Sequence, residues 1–283
     1  MIRELWKGVG VPRSLYGYEV CKVTKNEIDR MERIQNRVAR MALGSNSFVA
    51  IEALRGEMGW STYEERVSKM KLKYKVKLHG LGENNWAGYV FRECQGTTWH
   101  KEIKSLERKY DLRNVYESEN AKVCVDRGVR AKWQQIWENG VNRKSTLSVY
   151  KHKKHPCVEE LYEGDWKSQL LFKARSGSLE VNGRTYRWSG KSENCEWCAL
   201  GVKETVEHLI LKCSGHELER MNLNESMKEV IGSDKWNEFS TKEDEGLSIV
   251  LGFECEDESV NRSRMKVAEI AKTFLKSVWS KRE

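Results

Sequence analysis

The chain has 283 residues, a formal net charge of +8 and a mean hydropathy of −0.71. Charged residues make up 33% of it, and no apolar run approaches the roughly 20 residues of a bilayer span. A membrane-spanning helix is therefore excluded, while the length suffices for a buried core and about two domains.

The charge is uneven. Residues 1–80 hold 16 Lys and Arg against 9 Asp and Glu, residues 81–190 hold 20 against 14, and residues 191–283 hold 14 against 19. The first two thirds are the part that would seek a polyanion. Residues 1–23 read as a lead-in, helical or extended, broken at Val11-Pro12 and Gly17. Charges at Arg3 and Glu4 argue against a secretory signal. The expected location is nuclear or cytoplasmic, where thiols stay reduced.

Thr24 and Glu27 form a capping box that opens a helix ending at Gly44. Ile28, Met31, Ile34, Val38, Met41 and Ala42 step along one side, which is expected inward; Arg30, Arg33, Arg37 and Arg40 step along another. Arg33, Arg37 and Arg40 are candidate phosphate contacts, with a solvated face as the competing reading. A short helix is expected over 47–55. A second capping box, Ser61 with Glu64, opens a helix through Leu81. Lysines at 69, 71, 73, 75 and 77 alternate with a strand's period, but the box, the length and Gly80/Gly82 favour a helix.

Residues 83–120 are mixed. A helix over 121–138 places Trp133, Ile136 and Trp137 inward. Residues 142–156, rich in Lys and His, read as a disordered or clamp-like basic linker and a boundary. Asp165 caps a helix that runs to Gly177. Asn182-Gly183, between alternating residues, then predicts a β-hairpin. It would bring Arg175, Arg184, Arg187 and Trp188 together, a set able to pair with phosphate and stack on bases. Trp188 sealing a small core is the competing reading.

The next stretch carries the sharpest signal. Cys195, Cys198, His208 and Cys213 follow C-x2-C-x9-H-x4-C, four donors within 19 residues. Four is the coordination number of a closed structural zinc, and one Zn2+ is the expected cofactor. Thr205 is placed to cap the short helix bearing His208. His216 reads as a surface imidazole, and Cys21, Cys94, Cys124, Cys157 and Cys255 as small buried hydrophobes. Helical pieces are expected near 218–231 and 247–253, and a last helix from about Ser259. The expected fold is mainly α: a helical bundle at 1–82, a helical and basic linker region at 83–156, the hairpin and CCHC knuckle at 157–217, and C-terminal helices at 218–283. No adjacent Asp pair, glycine-rich phosphate loop, G-x-S-x-G or H-E-x-x-H occurs.

Two stretches carry a family resemblance. Residues 175–188, RSGSLEVNGRTYRW, with Cys195-x2-Cys198, Glu204-Thr205, His208-Leu209 and Cys213, resemble the C-terminal zinc knuckle of LINE-type (non-LTR) retrotransposon reverse transcriptases. Leu15-Tyr16-Gly17 with Glu19-Val20, Glu32, the run 35–44 (QNRVARMALG) and Gly59-Trp60 are similar to the thumb that follows the palm in those proteins. Together they bracket most of residues 10–215; the last 70 residues carry no resemblance.

The resemblance implies an RNA-directed DNA polymerase parent whose metal-binding palm would lie before Met1. This chain would then be a truncated product, not an enzyme itself, that binds RNA or DNA. It implies a thumb element at Arg33, Arg37 and Arg40, and the family's zinc ligands at Cys195, Cys198, His208 and Cys213. The alternatives are a zinc-scaffolded protein–protein interaction module and a non-functional retroelement remnant.

Overall fold

A computed structural model describes residues 2–82, 84–93 and 95–282. Among them the chain is mainly helical. In order come α1 (Ile2–Leu5), a π-turn (Trp6–Gly10), α2 (Val11–Leu15), α3 (Lys25–Leu43), α4 (Ile51–Met58) and α5 (Tyr63–His79). Then follow α6 (Trp86–Glu93), α7 (Thr98–Lys109), α8 (Ala121–Asn142), α9 (Trp166–Arg175) and α10 (Asn182–Ser189). The last are α11 (Glu217–Ile231), α12 (Ser233–Thr241), α13 (Glu243–Val250), α14 (Glu258–Arg262) and α15 (Arg264–Trp279). No strand is present among the described residues, only the isolated bridge pairs Met58–Val158 and Asn194–Lys203. Two compact units form: Met1–Ala39 with Gly59–Asn139, and Arg40–Met58 with Gly140–Glu283.

In the first unit α3 opens as expected. The Thr24 N–H donates to Glu27 Oε2 at 2.8 Å, and the Glu27 N–H returns to Thr24 Oγ1 at 3.3 Å. Its inward face agrees with the expected one only in part: Ile28 and Met31 pack against a core cluster. Gln35, Asn36, Ala39 and Leu43 are buried, and Ile34 and Met41 are exposed. Gln35 Nε2 donates to the Ser61 carbonyl at 3.0 Å, which offsets part of the cost of burying the amide, though its Oε1 finds no hydrogen-bond partner among the described residues. The box before α5 is Thr62 with Glu65, one residue later than expected. Ser61 is used elsewhere, its Oγ accepting from Arg66.

The α5 segment is helical despite its alternating lysines. Lys69 and Lys73 both reach Asp126, at 2.5 and 2.7 Å, Lys71 reaches Glu102 at 2.6 Å, and Lys75 pairs with Glu107. Leu72, Ile103, Tyr110, Leu112, Val125 and Val129 form one core cluster around these pairs. At roughly 2 kcal/mol per buried side chain, that cluster outweighs the strand-like pattern.

In the second unit the expected basic linker is ordered. Leu147 and Tyr150 are fully buried, the Tyr150 hydroxyl donates to the Ala53 carbonyl at 3.2 Å, and buried Lys153 pairs with Glu159. Asp165 caps α9 as expected, accepting from the Ser168 N–H at 3.0 Å. The Asn182-Gly183 hairpin is corrected to a helix, α10. A type I′ turn needs positive φ at both central residues, and neither has it; the positive φ falls at Gly190, +70°, where α10 ends. The scattered cysteines are also corrected: Cys21 is exposed, Cys124, Cys157 and Cys255 are half-buried, and Cys94 lies outside the described residues.

Candidate metal centre and the helix it holds

Cys195, Cys198, His208 and Cys213 converge, one ligand atom from each lying within 4.8 Å of all the others. A short antiparallel contact sets the first pair: Cys195 N–H donates to the Val202 carbonyl at 2.8 Å, and Glu204 N–H to the Glu193 carbonyl at 2.9 Å. Thr205 then caps the next turn as expected, its Oγ1 accepting from the His208 N–H at 3.0 Å.

The turn His208–Lys212 is a π-helix. In an α-helix, residues five apart point about 140° away from each other. Here the Cys213 N–H bonds the His208 carbonyl at 2.8 Å, an i to i+5 closure that swings Cys213 under His208. The x4 spacing is thus converted into a shared site. Cys195 and Cys213 sulfurs are 3.6 Å apart, and Cys198 Sγ is 3.5 Å from His208 Nε2. A tetrahedral zinc with zinc–sulfur bonds of about 2.3 Å has edges of roughly 3.8 Å. Three thiols and one imidazole at these separations fit it with no open position, and burial lowers the His208 pKa, keeping the ring neutral as a ligand must be. Burial pushes the Cys195 thiol up to about 12, with the neighbouring Cys213 and Cys198 thiols adding to it, so metal entry must release protons.

Around the donors lies a polar shell the sequence did not reveal. Glu204 is fully buried, pairs with Arg282 and sits 3.8 Å from Cys195 Sγ. Arg220 donates to the Cys213 carbonyl at 2.8 Å. His216 is corrected from surface to fully buried, its ring 5.3 Å from that of Trp197. No family model, curated protein or solved structure matches the chain.

Glu204 also ties α10 to the knuckle. Its carboxylate accepts the Asn182 N–H at 2.6 Å, its carbonyl accepts the Gly183 N–H at 3.0 Å, and Asn182 Nδ2 donates to the Asn194 carbonyl at 3.1 Å. Gly183 is needed for this approach, since a Cβ there would stand 2.4 Å from the Glu204 oxygen. Helix α10 borders a groove of about 510 Å³ with Arg184, Tyr186, Arg187 and Trp188 on its wall.

The expected nucleic-acid residues divide sharply. Arg187 is exposed, and Trp188, 64% exposed, stacks on exposed Phe48 with ring centroids 6.3 Å apart. Arg184 is half-buried and donates to the Gly177 carbonyl. Arg33 and Arg37 are exposed on α3, and Arg40 is half-buried.

Arg175 is corrected outright. It is fully buried, donating to Leu251 O at 2.7 Å, Glu57 Oε1 at 3.0 Å and Glu159 Oε1 at 3.4 Å, over the Phe253 ring. No surface remains for a phosphate. Its partner Glu57 lies 118 residues away in sequence, so no local pattern announced the pair.

Proposed function

We propose that this chain is a zinc-stabilised nucleic-acid-binding protein derived from a LINE-type retrotransposon reverse transcriptase, one that grips RNA or DNA and does not polymerise. On this reading the segment around α3 is the thumb-like element. Cys195, Cys198, His208 and Cys213 hold one structural Zn2+, which supplies folding energy and no chemistry.

The observation that carries the reading is α10. Its first turn is bonded to the knuckle, and its last presents Arg187 and the Trp188–Phe48 stack to solvent. A guanidinium beside an exposed aromatic is what holds single-stranded nucleic acid, by phosphate pairing and base stacking. The sequence resemblance at residues 175–213 supports the same assignment.

The test is a salt titration of binding to a structured RNA and a matched DNA duplex, with zinc measured on the same sample. Stoichiometric zinc and an affinity that falls steeply with salt are expected, each phosphate contact adding about one unit to the log–log slope. Zinc without salt-dependent binding would replace this reading with a zinc-scaffolded protein-interaction module. Absence of bound zinc in the folded protein would remove its foundation.

A further inference from the structure

The first unit has a charged surface of its own, and it arises from where acids go. The two acids on the neighbour-facing side of α7 are consumed by α5: Glu102 binds the fully buried Lys71, and Glu107 binds Lys75. Lys109 is paired with Glu64, but three cations on and just after α7 are left uncompensated. Lys104, Arg108 and Arg113 are exposed, and none has a carboxylate at ion-pair distance among the described residues. Together with Lys75, His79 and Tyr116 they line a concavity of about 610 Å³. Among the described residues Glu107 is the one carboxylate in that lining, and Lys75 already holds it. Lys75 also sits 4.0 Å above the Tyr116 ring, which fixes the floor. Two helix C-termini contribute about half a negative unit each, less than the three uncompensated cations.

We propose that this concavity binds the phosphate backbone of a nucleic acid, as a contact separate from the metal centre; the inference rests on the nucleic-acid reading above. Phosphate could also arrive on a free polyphosphate, but the shape favours a chain. Lys101, Lys104 and Arg108 are exposed at spacings of three and four along one side of α7, a row about 10 Å long. The row continues past the concavity, whose lining does not include Lys101. A compact anion would leave part of it unused, whereas a backbone presents successive phosphates along it.

The experiment compares the full chain with its Lys104→Glu/Arg108→Glu/Arg113→Glu variant, using labelled single-stranded RNA and a DNA duplex across a salt series. All three side chains are exposed, so melting temperature and zinc content should hold. The neutral Gln triple variant serves if the Glu variant misfolds. Affinity at low salt should fall about tenfold or more, and the salt slope should shrink by about three units. A second variant, Arg187→Glu/Trp188→Ala, reads the α10 surface independently. If that variant weakens binding while the triple variant binds like wild type, this site is wrong and the first reading stands. If wild type shows no salt-dependent binding, both fail. If tripolyphosphate distinguishes wild type from the triple variant and nucleic acid does not, the concavity is a small-anion site and the backbone assignment is overturned.

Discussion

Cys213 joins the other three candidate ligands only because the turn before it closes from i to i+5. Cys198→Ser removes one thiolate from a closed set, and in such modules metal binding is folding energy. The variant is expected to lose stoichiometric zinc and melt at lower temperature, read by metal analysis and calorimetry on one preparation. Full zinc retention with unchanged melting would contradict the ligand assignment. The four donors were legible because they lie within 19 residues and their chemistry is narrow. Arg175 was not, because a buried arginine and an exposed one look alike until the carboxylates that hold it are located. Glu159 shows how tightly they are held. Burial alone would raise its pKa, but Arg175, Lys153 and Arg264 together hold it at about 2. A depressed carboxylate contributes stability that is complete above its ordinary value near 4.5 and is lost as pH falls toward 2. Urea midpoints measured across that window should drop for the wild-type chain, and Glu159→Gln should start lower and show a flatter acid limb. Parallel acid limbs would show that the carboxylate is not the titrating group.

Among the elements, helices with both ends signalled were the most readable. The Thr24–Glu27 box and the Asp165 cap lie where the sequence placed them. What misled was local chemistry with a distant purpose. Asn182-Gly183 has the composition of a tight turn, yet its glycine exists for the close approach of Glu204, 21 residues on. A Cβ at 183 would meet that carbonyl at 2.4 Å, and the contact is backbone, so it cannot swing aside. Gly183→Ala is therefore expected to cost about 1–3 kcal/mol and to loosen α10 from the knuckle, accelerating zinc loss to a chelator. Gly190→Ala, at φ +70° with open space around it, should cost about 1–2 kcal/mol in backbone strain and leave zinc exchange alone. Equal exchange rates in the two variants would separate α10 from the metal site. The lysine run of α5 shows the same limit: its helix was legible, but nothing local announced that most of its charges turn to acids on α7 and α8.

At the scale of the whole chain, both units are assembled from segments distant in sequence. The segment Arg40–Met58 belongs with Gly140–Glu283, although everything that identifies the metal centre lies after residue 157. A fragment of residues 157–283 keeps all four ligands and their surrounding helices. It loses Glu57, the fully buried partner of Arg175, and with it Ala53, Leu54 and Met58 from the core. It also loses the backbone pairing of Cys157 with Gly56 and of Glu159 with Glu57, at 3.1 and 2.9 Å. The fragment leaves Arg175 with Glu159 as its remaining carboxylate; breaking a buried ion pair costs up to about 3–5 kcal/mol, and each lost apolar contact surface roughly 2 more. Domains of this size are stable by about 5–15 kcal/mol in total. The fragment should therefore bind zinc through the knuckle yet show no cooperative melting. The full-length Glu57→Ala variant should fall between fragment and wild type, because it removes the charge partner while keeping α4 in place. A fragment that melts cooperatively near the full chain's temperature would mean that α4 rests on this unit without supporting it, and that the buried arginine finds its compensation in Glu159 alone.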